Sequence, residues 1–415
     1  MSFEQHMDYD MIFVSMWQRI VFYFSLLAFM DSAIEKHCSE LVARERSGHT
    51  ALTERNVLYV WGGYVSIADD EVFLPNDEIW LYDLERGVWE MCRMSGEVPP
   101  PMSGTCGCCL NGDMYIFGGC DDNGQTNQLY CVNLLDGIYT WRKVNHKSGS
   151  PPSPRDKLSC WLPRKTDMFW LIYFGGYGHK QLDDINNNRS FLMDEVSWVD
   201  DIYWGWNNEV HMFDPTSASW SEPHTSGCDP DPRAAHASVT LCHKGYVCGG
   251  RIRETRTSDI YCLDLESWTW YEIVPASNVP MGRSWHTLTA ISDSGLFLFG
   301  GLSIDCKPMS DGWVFDVGTK KWREFEHPYM NKPRLWHTAC QGKDSDVIVF
   351  GGSCNYILRV DTGHCNDAHV FQTQPYPLFR ICEDYIAKNV KNCKMLEKQL
   401  PFVPPKLLPA VQKII

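Results

Sequence analysis

Leu296-Phe297-Leu298-Phe299-Gly300-Gly301 sets the fold: a short apolar run, the length of one strand, ends on two glycines. The phrase occurs six times. Its other runs are Leu58-Tyr59-Val60-Trp61, Met114-Tyr115-Ile116-Phe117, Leu171-Ile172-Tyr173-Phe174, Tyr246-Val247-Cys248 and Val347-Ile348-Val349-Phe350. They lead into Gly62-Gly63, Gly118-Gly119, Gly175-Gly176, Gly249-Gly250 and Gly351-Gly352, and successive pairs lie 56, 57, 74, 51 and 51 residues apart. Downstream of most pairs an aromatic or apolar residue is followed, after six intervening residues, by Trp: Tyr82 to Trp89, Phe213 to Trp220, Leu263 to Trp270 and Phe315 to Trp322. Trp141 closes the second repeat at a looser spacing, and the sixth repeat has no such Trp.

A period near 50 residues is that of kelch repeats. The expected fold is therefore all-β, a six-bladed kelch β-propeller with a short C-terminal α-helical tail. Glycine lets the chain turn where blades crowd. Tryptophan fills the gap between neighbouring sheets. One four-stranded blade cannot bury both faces, so several must stack around an axis. The excess of the third repeat, around Asp184 to Trp204, is polar and acidic and reads as a long loop. The divisions expected are an N-terminal extension over 1–42, the propeller over 43–372 and the tail over 373–415.

A second motif opens each repeat: Ser47-Gly48-His49, Ser103-Gly104-Thr105, Arg155-Asp156-Lys157, Arg233-Ala234-Ala235-His236, Arg283-Ser284-Trp285-His286 and Arg334-Leu335-Trp336-His337. In an antiparallel hairpin the start of one strand and the end of the next share an edge. Residues after the glycine pairs (Tyr64, Cys120, Tyr177, Arg251, Leu302, Ser353) thus converge on one rim with Lys157, Ser284, Trp285 and Trp336. Arg256 lies five residues past Arg251, and Trp206 follows the long insert, placed to hang over the centre. Two arginines and a serine hydroxyl suit an oxyanion, because guanidinium grips carboxylate through paired, charge-assisted hydrogen bonds. The competing reading makes Arg251 and Arg256 ordinary surface ion pairs between blades. His236, His286 and His337 recur at one repeat position, which favours a structural hydrogen bond over a catalytic or metal role.

The net charge of −15 opposes nucleic-acid binding, which needs clustered Lys and Arg. The 18 cysteines are scattered singly, and Cys106-x-x-Cys109 has no matching second pair for zinc. Free thiols in a reducing compartment are expected, with no disulfide, metal, cofactor or catalytic residue. Met11 to Met30 is largely apolar, but Gln18 and Arg19 interrupt it, and Glu4, Asp8 and Asp10 precede it. That is neither a secretory signal nor a clean spanning helix. Residues 1–42 are expected to be disordered or a gene-model artefact, with Met30 as an alternative start. An amphipathic segment and a membrane anchor are the other readings, and no membrane partner is expected.

Beyond Phe371, Leu378, Ile381, Cys382, Tyr385 and Ile386 follow helical spacing behind Pro377, and Leu407, Leu408, Val411 and Ile414 form a second stripe. Two such helices suit docking on the propeller or in a partner's groove.

Three stretches are more specific than generic repeat glycines: Ala43-Arg44-Glu45-Arg46-Ser47-Gly48-His49, Leu74-Pro75-Asn76-Asp77-Glu78-Ile79-Trp80 and Asp361-Thr362-Gly363-His364-Cys365-Asn366-Asp367. With them the chain, from about residue 43 onward, resembles the kelch-domain substrate receptors of cullin-2 RING ubiquitin ligases. The resemblance implies a non-catalytic subunit that captures C-terminal degrons, glycine-ending tails being the best-known class. In that family two Arg and a Ser hold the terminal carboxylate, and these fall on Arg251, Arg256 and Ser284. Pocket-wall positions fall on Tyr64, Lys157, Tyr177, Trp206 and Trp285. An elongin-binding box matches Pro377, Leu378, Cys382 and Ile386. A cullin-2 box matches Val403, Pro404, Leu407 and Val411, with Pro409 as a departure inside its helix. The implied partners are elongin B/C, cullin-2 and its RING subunit, and substrate proteins with glycine-ending C-termini. The implied compartment is the cytoplasm, with the nucleus as a second. The alternative is a kelch scaffold or interaction protein binding a folded partner surface without a ligase role.

Overall fold

The computed structural model describes residues 41–67, 70–163, 169–185, 189–356, 363–382 and 385. Leu41–Pro375 form one compact unit. Its six blades, which we number in chain order, are sheets whose consecutive strands pair antiparallel, and two of them add a short parallel edge strand, Ser95–Gly96 and Ser226–Gly227. The innermost strands are Thr50–Glu54, Cys106–Leu110, Ser159–Trp161, Ala237–Leu241, Thr287–Ala290 and Thr338–Gln341. Each packs against the next and the sixth against the first, so the circle closes.

The second strand of each blade is the apolar run that announced it. Leu296, Phe297, Leu298 and Phe299 are essentially inaccessible. The tryptophans bridge sheets as their size demands. Trp89 packs on Phe350 of blade 6 (5.0 Å between ring centres), Trp141 on Trp61 of blade 1 (5.4 Å), Trp220 on Phe117 of blade 2 (5.2 Å) and Trp270 on Phe174 of blade 3 (5.2 Å). Each outermost Trp thus meets the residue just before the preceding blade's glycine pair. Trp322 meets Cys248 in the same cluster, so one aromatic is missing there.

Blade 6 shows why its Trp is missing. Among the described residues it has three strands, Thr338–Gln341, Val347–Phe350 and Ala368–Phe371, and Phe371 takes the Trp's place against Phe299 at 4.6 Å. An open strand edge invites unwanted pairing. Here the Tyr329 hydroxyl lies 3.2 Å from the Val370 N–H and 3.4 Å from its carbonyl, occupying both groups at one point of the edge.

Around the axis runs a belt of six backbone hydrogen bonds. The N–H of Gly48 donates to Trp336, Gly104 to Gly48, Lys157 to Gly104, Ala235 to Lys157, Trp285 to Ala235 and Trp336 to Trp285, all at 2.8–3.1 Å. All six residues are left-handed, with φ between 53° and 67°. That conformation costs a side-chain-bearing residue about 1 kcal/mol, which the belt offsets.

The insert of blade 3 corrects the loop expected there. Tyr177–Gln181, Phe191–Val199 and Ile202–Asn207 are strands, joined by Arg155–Asp156 into a second sheet. Trp206 pairs with Tyr177 on one side and Leu192 on the other. Asp194, Glu195 and Ser197 interrupt the apolar residues of Phe191–Val199 without regular alternation, and its positions beyond Phe191 are half-buried or exposed, so no strand pattern marks it in the sequence.

Candidate functional site

The second and third strands of blade 4, Lys244–Ile252 and Thr255–Asp264, continue past the glycine pair as a rim hairpin. Their register shifts between Cys248 and Gly250, after which Arg251 stands directly opposite Arg256. Direct cross-strand partners share a face about 5 Å apart, and like charges so placed repel. An anion between them removes that cost.

Other arginines show what a structural role looks like here. Arg233 and Arg283 are buried, donate to the carbonyls of Gly249 and Gly300 at 3.0 Å, and make two-pronged bonds to Asp259 and Asp311 at 2.7–2.9 Å. Asp311 is held below the usual carboxylate range by its hydrogen bond from Arg283 and that cation's charge, which outweigh burial. Arg251 and Arg256 are different. Arg256 Nε donates to Ser284 Oγ at 2.9 Å, and among the described ion pairs it has no carboxylate. Arg251 donates to the Arg253 carbonyl, and its one carboxylate among the described ion pairs is Glu254, at 3.5 Å, within its own hairpin. Glu254 is 91% exposed, and a pair of that kind contributes little. Neither arginine thus forms the inter-blade ion pair of the competing reading among the described pairs.

Ser284 is buried on the short strand Arg283–Ser284, which pairs with Leu302 and Ser303. Trp285 follows it in the belt and stacks on Trp336 at 5.4 Å and 19°. The Trp285 indole nitrogen is buried without an acceptor, an unmet donor at the wall. Lys157, also in the belt, donates to Asp156 and sits 5.3 Å over the Trp336 ring. The Arg251 guanidinium lies 5.9 Å from Trp206, whose ring meets Tyr177 edge-on at 5.3 Å. Burial pushes the Tyr177 phenol up to about 12, so it stays neutral.

Lys157, Tyr177, Trp206, Arg251, Ser284 and Trp285 line one cavity of about 190 Å³ with Ala234 and Ala235. Arg256 joins it through Ser284. Tyr64 does not line it: it is buried against Trp336, on the far side of the stacked indoles, with ring centres 5.4 Å apart. Asp194 lines the cavity too and escaped the sequence reading, because it lies in the insert taken for a loop. The repeated histidines reach back to a hydroxyl of the preceding blade: His49 to Thr338, His236 to Ser159 and His337 to Thr287, at 2.8–2.9 Å. Among the described residues no group of three His, Cys, Asp or Glu could hold a metal ion. No helix among them is long and apolar enough to cross a membrane.

In the other compact unit, to which Tyr376–Ile415 belong, residues 378–382 and 385 are helical, and the Ile381 N–H donates to Pro377 at 3.1 Å. Leu378 is 74% exposed and Cys382 half-buried. Ile386, Val403, Pro404, Leu407 and Val411 lie outside the described residues, as does the segment 1–40.

A six-bladed propeller with a cationic, indole-walled pocket and repeat histidines spent on scaffolding belongs to the kelch interaction and receptor proteins, a generally non-catalytic class. The chain matches the model of the KLHDC2/KLHL20/DRC7 Kelch-repeats domain over residues 24–200 and 201–376, and it belongs to that family. It is 51% identical over 378 residues to Kelch domain-containing protein 1 of Mus musculus, covering 90% of this chain and 91% of that protein. Against the Homo sapiens protein of that name the identity is 52% over 381 residues, with the same coverage. Kelch domain-containing protein 2 of Bos taurus is 41% identical over 362 residues, 84% of this chain and 87% of its own. The solved structure of YjhT superposes with a TM-score of 0.58 at 14% identity, over 80% of this chain and 97% of that one, a likeness of fold.

Proposed function

We propose that this chain is the substrate-recognition subunit of a cullin-2–elongin B/C RING ubiquitin ligase, and that its rim pocket captures the free C-terminal carboxylate of target proteins, glycine-ending tails foremost. The observation that carries the reading is the directly opposed pair Arg251 and Arg256, which among the described ion pairs has no buried carboxylate partner and has the Ser284 hydroxyl bonded to one member. A terminal carboxylate placed there accepts from both guanidiniums while Ser284 orients one of them. Charge-assisted bonds of this kind are the strong ones. The unmet Trp285 donor suits a carbonyl oxygen of the same tail. The cavity of about 190 Å³ is small, and its indole and phenol walls favour residues without bulk next to the terminus. The protein itself catalyses nothing in this reading, and ubiquitin transfer belongs to the recruited machinery.

The test is a binding series of peptides with identical sequence, ending in a free acid or in an amide. Amidation removes the charge and is expected to weaken binding by on the order of 30-fold or more, and Arg251→Ala by a similar factor. Equal affinity for acid and amide overturns the reading.

A further inference from the structure

The pocket is not uniformly positive, and the exception is Asp194. Its Oδ2 accepts from the Tyr177 hydroxyl at 2.9 Å and from Ser197 Oγ at 3.2 Å, and its Oδ1 from the Val196 N–H at 3.3 Å. All three donors are neutral. Among the described ion pairs Asp194 has no cation, whereas the adjacent Glu195 turns outward to Arg253 at 3.5 Å. The strand Phe191–Val199 breaks register between Met193 and Trp198, which places Asp194 in the bulge. Yet Asp194 lines the same cavity as Arg251.

One aromatic shelf separates the two signs. Arg251 lies 5.9 Å from the Trp206 ring, Trp206 meets Tyr177 at 5.3 Å, and Tyr177 donates to Asp194. An extended peptide advances about 3.3 Å per residue. A tail anchored on the arginines therefore reaches the Asp194 end within about its last four residues. A carboxylate held only by neutral donors in a partly enclosed wall attracts a cation and repels an anion more strongly than one in open water.

We propose that Asp194 sets the charge preference upstream of the captured terminus, so that the pocket selects tails carrying Lys or Arg at the third or fourth position from the end and rejects Glu or Asp there. The inference rests on the receptor reading and adds to it a class of substrate, the tail with a cation just before its terminus. Asp194 acts by direct contact with that side chain, over and above its bond to Tyr177.

The experiment uses the full chain and short fluorescent peptides ending in Gly-Gly free acid, with Lys, Gln or Glu third or fourth from the end. The wild type is expected to favour Lys over Glu by roughly tenfold at one of these positions. Asp194→Asn keeps an acceptor for Tyr177 and removes the charge, and is expected to bring that ratio close to one. Glu195→Gln changes the net charge equally outside the cavity and is expected to keep the ratio. A wild-type ratio near one, or the same ratio in Asp194→Asn, overturns the inference and leaves the receptor reading standing. A wild type that holds no free-acid peptide of the set overturns both.

Discussion

A single missing hydroxyl explains one of the oddest residues of the molecule. His49, His236 and His337 each find Ser or Thr on the preceding blade, one residue past that blade's own motif position. For His286 the residue there is Ala237, and the imidazole Nε2 is buried without a partner. Blade 3 solves the same problem by substitution, with Leu158 in place of histidine and Cys106 in place of the hydroxyl. Ala237→Ser restores the pattern, and a satisfied buried bond contributes about 1 kcal/mol. The melting temperature is expected to rise by about 1–2 °C in a domain this large, measured by thermal unfolding followed by tryptophan fluorescence. The recurrence of histidine was legible in sequence, and so was its structural use. Which hydroxyl it meets was not, because the partners lie as far apart in the chain as His49 and Thr338.

Among elements, the apolar runs and glycine pairs betrayed their strands because both faces of those strands are buried, leaving no polar residue to blur the signal. The insert of blade 3 hid for the opposite reason. Its strand Phe191–Val199 is largely exposed, so Asp194 passed as one loop acid among several. The missing Trp of blade 6 was legible as an absence. That Phe371 would take its place and Tyr329 would cap the edge was not, since each depends on a contact between blades. The tail helix that begins at Leu378 carries an exposed leucine, which fits an anchor for a partner. Replacing Leu378 and Cys382 together with Ser is expected to abolish co-purification of elongin B/C while peptide binding by the propeller persists. Retention of elongin by this variant overturns the assignment of that box.

At the scale of the whole molecule, four histidines inside the ring couple stability to pH. Burial, reinforced by the arginine three residues upstream in each motif, drives His236 and His337 down to about 3 and His49 and His286 well below their usual value. The unfolded chain takes up these protons near pH 6.5, and the folded ring refuses them until far lower. Stability is therefore fully present above that range and falls as the solution is acidified, by up to about 1.4 kcal/mol per pH unit for each group. Melting temperature against pH is expected to hold level near neutrality and decline steeply from about pH 6. His286→Asn is expected to reduce the slope by about one proton. The overall architecture was the most legible level, because a six-fold repetition averages out local ambiguity. The site was legible in its charges, and its cross-strand pairing of Arg251 with Arg256 waited on a register shift that sequence does not mark.

The belt of backbone bonds has one seam at which distant parts of the chain must meet. Gly48 bonds to Trp336, the Arg46 N–H to Cys365, the Gly352 N–H to Arg46, and Ser47 to His364 at 2.8 Å. A ribosome delivers the first half of this clasp long before the second. Until the final blade emerges, the residues that cover Trp89 of blade 1 and Phe299 of blade 5 in the finished ring, Phe350 and Phe371, do not yet exist. The interval between synthesis of residue 50 and residue 371 is thus the period in which this protein most depends on protection, and a message truncated within it yields a product with nothing to fasten.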